Sequence, residues 1–246
     1  MRREPKTLFI SDLHLAESEP FITACFLSYL AECDPQEVDA LYILGDLFES
    51  WIGDDNDTSF NRTIINAIKA VTDKGIPIYF MRGNRDFLIG NKFARKTGCV
   101  LLPDEKVINL YGEPVLLVHG DTLCTRDKKY LAWRKKARNP ILHTLFFLIL
   151  PLSLRRRIAN QLRMKSKAHT QNAPMDIMDV TQDEVMTIMQ KYKVKTLIHG
   201  HTHRPAFHQF KLNSETVTRI VLAAWHTHGS ALECNAAGVK TLKEIT

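Results

Sequence analysis

The sequence predicts a layered α/β domain interrupted by a helical insertion. Two observations carry this. Apolar runs of strand length alternate with helical patterns along most of the chain, and one long basic stretch after residue 125 breaks that rhythm. At 246 residues the chain can form one such domain with its own core and an added cap.

The runs at 7–10, 40–44, 76–81, 115–118 and 196–198 are almost continuously apolar, as strands buried on both faces are. They read as parallel strands. The segments near 219–223 and 230–234 read as strands of a second sheet, and helical patterns cover 21–32 and 61–73. The departure begins at Asp127 and runs to about residue 170. Its centre, 141–154, is apolar but contains Pro151. A membrane-spanning helix needs ~20 apolar residues, so this run does not read as a span. It reads as a cap packed on the main domain, or as a holder of an apolar ligand or a segment lying in a membrane interface. The division is therefore a core of 1–125 and 171–246, with an inserted helical cap at 126–170.

Composition narrows the class. Hydrophobic residues make up 45% and charged residues 24%, which excludes a disordered chain. Five scattered cysteines without a CxxC pair exclude a zinc knuckle or a disulfide framework, and fit reduced thiols in a cytosol. Met1-Arg2-Arg3-Glu4-Pro5-Lys6 carries no apolar signal core, so export is not expected. The net charge is +6, but 126–167 holds thirteen Lys/Arg against the single acid Asp127. That stretch is therefore +12 and the remainder −6. It reads either as a solvated helical face or as a surface for an anionic partner.

The chemistry sits where the strand-like runs end. They lead into Ser11-Asp12-Leu13-His14, Gly45-Asp46-Leu47, Gly83-Asn84-Arg85-Asp86, His119-Gly120-Asp121 and Gly200-His201-Thr202-His203. Ligands of open α/β sheets bind at the carboxyl ends of strands, so five distant segments should converge on one crevice. Carboxylate, imidazole and amide oxygen suit Mn²⁺, Fe²⁺, Zn²⁺ or Co²⁺. A carboxylate such as Asp46 can bridge two cations, and two cations ~3.5–4 Å apart can clamp a phosphoryl group and acidify a water between them. Singly each block is weak. All of them in this order, each behind an apolar run, are specific.

These blocks resemble the ordered signature of the calcineurin-like metallophosphoesterase superfamily. The resemblance implies a four-layer α/β-β/α sandwich. It implies one metal on Asp12, His14, Asp46 and His203, and a second on Asp46, Asn84, His119 and His201. Within that superfamily the chain is similar, over nearly its whole length, to the family of UDP-2,3-diacylglucosamine pyrophosphatases of lipid A biosynthesis. The shared marks are 8–15, 42–55, 83–88, 119–124, 199–205 and Ala224-Trp225-His226. That likeness implies Mn²⁺-dependent cleavage of a pyrophosphate to UMP and 2,3-diacylglucosamine 1-phosphate, at the inner face of a Gram-negative inner membrane. It places catalysis on Asp46, Asn84, Arg85, His119 and His201, and substrate contacts on Asn84, Arg85, Asp127, Ser166 and His201. Thr170 stands where many relatives have Asn, and Ala173 where some have Lys, so the cap contacts are the part least carried over.

Arg85 supports this branch on physical grounds. Many superfamily members have His there, which can protonate an alkoxide. A departing phosphate is already a good leaving group, so a fixed cation that pairs with phosphate oxygens serves better. The plain alternative is that Arg85 only pairs with Asp86 or Asp121. The implied partners are the lipid-linked nucleotide and, peripherally, a membrane surface, with no nucleic acid and no obligate protein partner. A nuclease or other phosphodiesterase on the same scaffold is the rival, followed by a non-catalytic metal-binding module. Asp54, Asp55 and Asp57 read as a solvated turn rather than a third metal site. His143 reads as a packed cap residue. Trp225-His226 reads equally as a substrate mouth or as a packed tryptophan beside a capped histidine.

Overall fold

Strands alternate their side chains between two faces, so a run apolar at every position needs a core on each side. The computed structural model describes residues 5–172 and 179–245, without the side chains of 140, 143, 144, 147, 148 and 165–172. In it, chain order begins β1 (Lys6–Ile10), α1 (Pro20–Ala31), β2 (Val38–Leu44), α2 (Ser59–Asp73), β3 (Ile78–Met81), α3 (Asn91–Thr97) and β4 (Val100–Leu102). The hairpin β5 (Glu105–Leu110) and β6 (Glu113–Val118) follows, and then α4 (Lys128–Ala137), α5 (Pro140–Ile149) and α6 (Leu152–Asn172). The chain closes with α7 (Gln182–Tyr192), β7 (Thr196–His199), β8 (Ala206–Leu212), β9 (Glu215–Val221), β10 (Gly229–Asn235) and β11 (Lys240–Ile245).

The strands form two sheets, ordered β11-β10-β1-β2-β3-β4 and β5-β6-β7-β9-β8. Between them lies one apolar layer built from Phe9, Leu44, Met81, Leu117, Ile198 and Leu232. The neighbours of Phe9 in sequence, Leu8 and Ile10, face the other way, against Phe26 of α1, Ile64 and Ile68 of α2 and Phe93 of α3. Beyond the second sheet, Leu116, Val118 and Leu197 pack on Val185 and Met189 of α7. The result is the expected four-layer α/β-β/α sandwich.

Three details depart from the sequence reading. The parallel runs divide between the sheets, with β1, β2 and β3 in the first and β6 and β7 in the second. The segment 230–234, expected in a second sheet, pairs antiparallel with β1, Thr7 opposite Cys234. Its apolar pattern could not say which sheet it joins. β3 also starts two residues late, at Ile78, behind Pro77, whose carbonyl accepts from Leu41 N at 3.0 Å but which has no N–H for the ladder.

The stretch between β6 and α7 is helical. Asp127 caps α4 by accepting from Tyr130 N at 2.9 Å, and Asn139 caps α5 by accepting from Ile141 N at 2.9 Å. Pro151 separates α5 from α6, so the apolar run does not form one helix. Among the described residues no helix is long and apolar enough to cross a membrane.

Candidate active site

Parallel strands β1, β2 and β3 of one sheet and β6 and β7 of the other send their carboxyl ends to one edge, and the five polar blocks follow directly. Of the seven expected metal ligands, Asp12, His14, Asp46, His201 and His203 have positive φ, between 51° and 70°. Such backbone costs on the order of 1–3 kcal/mol per residue and persists only where neighbours enforce it. Here the loops are stitched together. Asp12 N donates to Gly45 O (3.1 Å), His14 N to Asp46 O (3.0 Å), and Gly200 N to His119 O (2.8 Å). Two glycines leave room for ligands. A Cβ on Gly83 would lie 2.1 Å from Asp46 Oδ1, and one on Gly200 would lie 2.2 Å from Asp12 Oδ2.

The blocks form two clusters. In the first, His203 Nε2 lies 3.4 Å from Asp12 Oδ1 and 3.3 Å from His14 Nε2. Asp12 Oδ2 accepts from Ser11 Oγ (2.6 Å) and His201 N (2.8 Å), while Oδ1 is buried without a hydrogen-bond partner among the described residues. A carboxylate oxygen is costly to bury unmatched, and a cation would match it. In the second cluster, His119 Nε2 is 3.7 Å from Asp46 Oδ1 and 3.0 Å from Asn84 Oδ1, which also lies 2.9 Å from His201 Nδ1. His119 Nδ1 sits 2.8 Å from the Leu44 carbonyl, which turns Nε2 inward. In each cluster the His and Asp ligand atoms lie within 4.8 Å of one another. Oxygen and imidazole donors without thiolate fit divalent cations. All seven expected ligands are therefore brought together.

Electrostatics agree with ligand roles. Burial opposes ionisation of Asp12, yet the adjacent His203 imidazole and the charges of His119 and His14 hold it below the usual carboxylate range. Burial, aided by His119, pushes His201 down to about 4, leaving a neutral imidazole. Asp86 is pushed up to about 6 by burial and by the Asp46 charge, against the bonds it accepts from Gly83 N and Leu47 N.

A cleft of about 1430 Å³ opens from both clusters, with Arg85 and Asp127 in its wall. The local pairing considered for Arg85 is absent among the described residues. Asp86 holds backbone amides, and Asp121 accepts from Tyr130 Oη (2.5 Å) and Arg134 Nε (2.6 Å). Arg85 Nε is buried with no hydrogen-bond partner among the described residues. Asp127 combines its place in the wall with capping α4. The side chains of Ser166, Thr170 and His143, and residue Ala173 altogether, lie outside the described residues.

The acidic loop is not simply a solvated turn. Asp54 accepts from Trp51 Nε1 (3.0 Å), Gly90 N (3.0 Å) and Phe93 N (2.9 Å), Asp55 pairs with Arg155, and Asp57 with Arg62 and Lys96. Trp225 is buried with its Nε1 on the Ser230 carbonyl (2.9 Å), while exposed His226 lies 5.8 Å from the His203 ring. Sequence reasoning missed Glu49, 3.1 Å from His14 Nδ1, and Arg134 and Arg138, which brace the loops behind His119 and Asn84. Glu49 lay within the block 42–55, but nothing distinguished it from other acids there.

Two sandwiched sheets with paired O/N clusters at their shared edge define a metal-dependent phosphoesterase. Residues 5–205 match the family model described as calcineurin-like phosphoesterase, and the chain belongs to that family. It is 54% identical, over 96% of its length and 98% of the relative's, to a UDP-2,3-diacylglucosamine hydrolase from Escherichia coli O81 (strain ED1a). A protein of the same name from Escherichia coli O6:H1 (strain CFT073) is 53% identical over the same shares. A solved archaeal phosphodiesterase covers 98% of the chain and 99% of its own at 12% identity and a TM-score of 0.49, too distant to carry an argument.

Proposed function

We propose that the chain hydrolyses UDP-2,3-diacylglucosamine at the α-phosphorus, the one next to uridine, giving UMP and 2,3-diacylglucosamine 1-phosphate for lipid A biosynthesis. The names of the relatives, UDP-2,3-diacylglucosamine hydrolases, support the substrate. The observation that carries the reading is that one cleft joins both ligand clusters to an apolar chamber. Phe87, Leu88, Leu142, Phe146, Ile158 and Leu162 line it beside Asn84, Arg85 and His201. Acyl chains need the apolar part, and a pyrophosphate needs the polar end.

Asp12, His14, Asp46, Asn84, His119, His201 and His203 would hold two Mn²⁺, with Asp46 shared. These cations supply Lewis acidity toward the phosphoryl oxygens and acidify water. Arg85, whose buried Nε has no hydrogen-bond partner among the described residues, would meet the phosphate from the cleft wall, where a fixed fork can neutralise charge that grows in the transition state. The sugar 1-phosphate leaves without needing a proton at that moment. Asn84, Arg85, Asp127, Ser166, Thr170 and His201 contact substrate. Residues 126–170 act as the cap that closes the acyl chamber, and its apolar and basic surface holds the protein peripherally on the cytoplasmic face of the inner membrane.

The test is hydrolysis of UDP-2,3-diacylglucosamine in ¹⁸O-water with and without Mn²⁺, read by mass spectrometry. Label in UMP, only with metal, is the expected result. Label in the lipid phosphate overturns the site of attack. No turnover by metal-loaded protein overturns the substrate and favours another phosphodiester or nucleic acid.

A further inference from the structure

His14 reaches the first cluster through Nε2, which faces His203 Nε2 at 3.3 Å. Its other nitrogen, Nδ1, is buried and lies 3.1 Å from Glu49 Oε2, close enough for an ion pair yet without the alignment of a formed hydrogen bond. The second oxygen of the same carboxylate, Oε1, meets Arg163 Nε of α6 at 2.8 Å. Glu49 thus stands between a ligand on the sandwich and a cation on the insertion. It follows β2 and is fixed there by its own amide, which donates to Leu15 O at 3.1 Å, on the loop that carries His14. Its side chain is largely shielded, while that of Arg163 is about half exposed.

We infer that Glu49 is a positioning residue that aims His14 at a cation and, through Arg163, couples the seating of α6 to occupation of the first cluster. The inference rests on the metal-binding reading of that cluster. An imidazole that binds a cation through Nε2 must carry its proton on Nδ1, and a carboxylate on that side fixes both tautomer and ring orientation. Cation binding at Nε2 makes Nδ1–H a stronger donor, so the slack His14–Glu49 contact closes when the cluster fills. Glu49 then holds its place more firmly for Arg163. Coupling of this kind is reciprocal. Whatever seats α6, including a lipid in the chamber that α6 walls, must also favour the cation.

The test uses the full chain stripped of metal and titrated with Mn²⁺, with binding read by calorimetry and α6 read by amide hydrogen exchange. In the wild type, two sites are expected to fill, and exchange in α6 to slow as they do. Glu49→Ala is expected to weaken one site about 10–100-fold and leave the other unchanged. Glu49→Gln keeps an acceptor for His14 but no charge for Arg163, so its affinity should fall between wild type and Glu49→Ala. Arg163→Met should bind both cations yet lose the slowing in α6. If Glu49→Ala does not fold, Glu49→Gln and Arg163→Met still decide. Unchanged affinity in both Glu49 variants overturns the positioning role, and unaltered slowing in Arg163→Met overturns the coupling. Failure of the wild type to bind Mn²⁺ at all overturns instead the metal reading on which both rest.

Discussion

Asp46 and Asp12 each face a glycine at which any Cβ would collide with a carboxylate oxygen, so the smallest possible substitution there tests the site. Gly83→Ala would place a methyl 2.1 Å from Asp46 Oδ1 and must displace either the carboxylate or the Asn84 loop. A shift of ~1 Å in a catalytic group costs on the order of 100-fold in rate, and that loss in kcat is expected, with less metal retained on the second cluster. Steady-state kinetics with metal analysis checks both. Arg85 makes a different prediction, since no hydrogen bond joins its side chain to a ligand among the described residues. Arg85→Lys keeps a charge but loses the planar fork, and should lower kcat on the order of 10–100-fold. Arg85→Met should cost about 100–1,000-fold, with metal content unchanged in both. The ligands were legible because each follows a strand end directly and because Asp, His and Asn in that order have few other uses. Glu49 was not, because a carboxylate acquires its role from the imidazole folded against it. Asp54 was misread for the same reason. Its partners Gly90 and Phe93 lie 36 and 39 residues away, so no local pattern reveals that it caps the start of α3.

The elements most easily read were those buried on both faces. β1, β2 and β7 stand out as apolar runs, and α2 as an amphipathic helix behind its Thr58 cap. Edge strands such as β8, exposed along most of its length, lack that signal, and sheet membership of β10 depends on pairing rather than composition. The seating of α6 likewise depends on contacts far apart in sequence. Arg155, only 4% exposed, donates to the carbonyls of Ile52 (2.8 Å) and Leu150 (3.0 Å) and forms a two-pronged pair with Asp55. The Arg155 hydrogen bond holds Asp55 below the ordinary carboxylate range. A carboxyl depressed in the folded state contributes stability above its unfolded pKa and loses it as pH falls through the folded one. The Asp55 contribution to α6 should therefore be constant near neutrality, begin to fall below about pH 4, and be lost only as pH passes the still lower folded pKa. Asp55→Asn should raise amide exchange in α6 about fivefold at pH 7, equivalent to about 1 kcal/mol for a pair whose carboxylate is half exposed. The difference from wild type should vanish in acid. A difference that does not shrink at all as pH falls below about 4 would mean that Asp55 acts through something other than its charge.

At the scale of the whole molecule, charge and apolar surface are concentrated in the same place. The 126–167 stretch carries +12 against −6 elsewhere. On α5, Ile141 and Ile149 are 71% and 68% exposed, and Leu145 lies between them at the same helical spacing. The apolar face of α5 and the basic stretches flanking it in sequence were visible in the sequence, although the choice between core and surface was not, because an apolar run at helical spacing suits either. A diacylated substrate lives in a bilayer, and the chamber that suits its chains is walled by the same helices. Such a face should dock on an anionic membrane by two separable contributions, apolar insertion and attraction to headgroups. Binding to vesicles containing phosphatidylglycerol should therefore exceed binding to neutral ones, and should weaken on raising salt from about 0.05 to 0.5 M as screening shortens. Ile141→Asp combined with Ile149→Asp should reduce sedimentation with anionic vesicles at least tenfold. Hydrolysis of a detergent-solubilised substrate should stay close to wild type, because neither side chain lines the cleft. If the double variant loses both activities together, α5 supports the chamber rather than the membrane. If the wild type ignores anionic vesicles at low salt, peripheral attachment through this face is wrong, and the substrate must reach the cleft by another route.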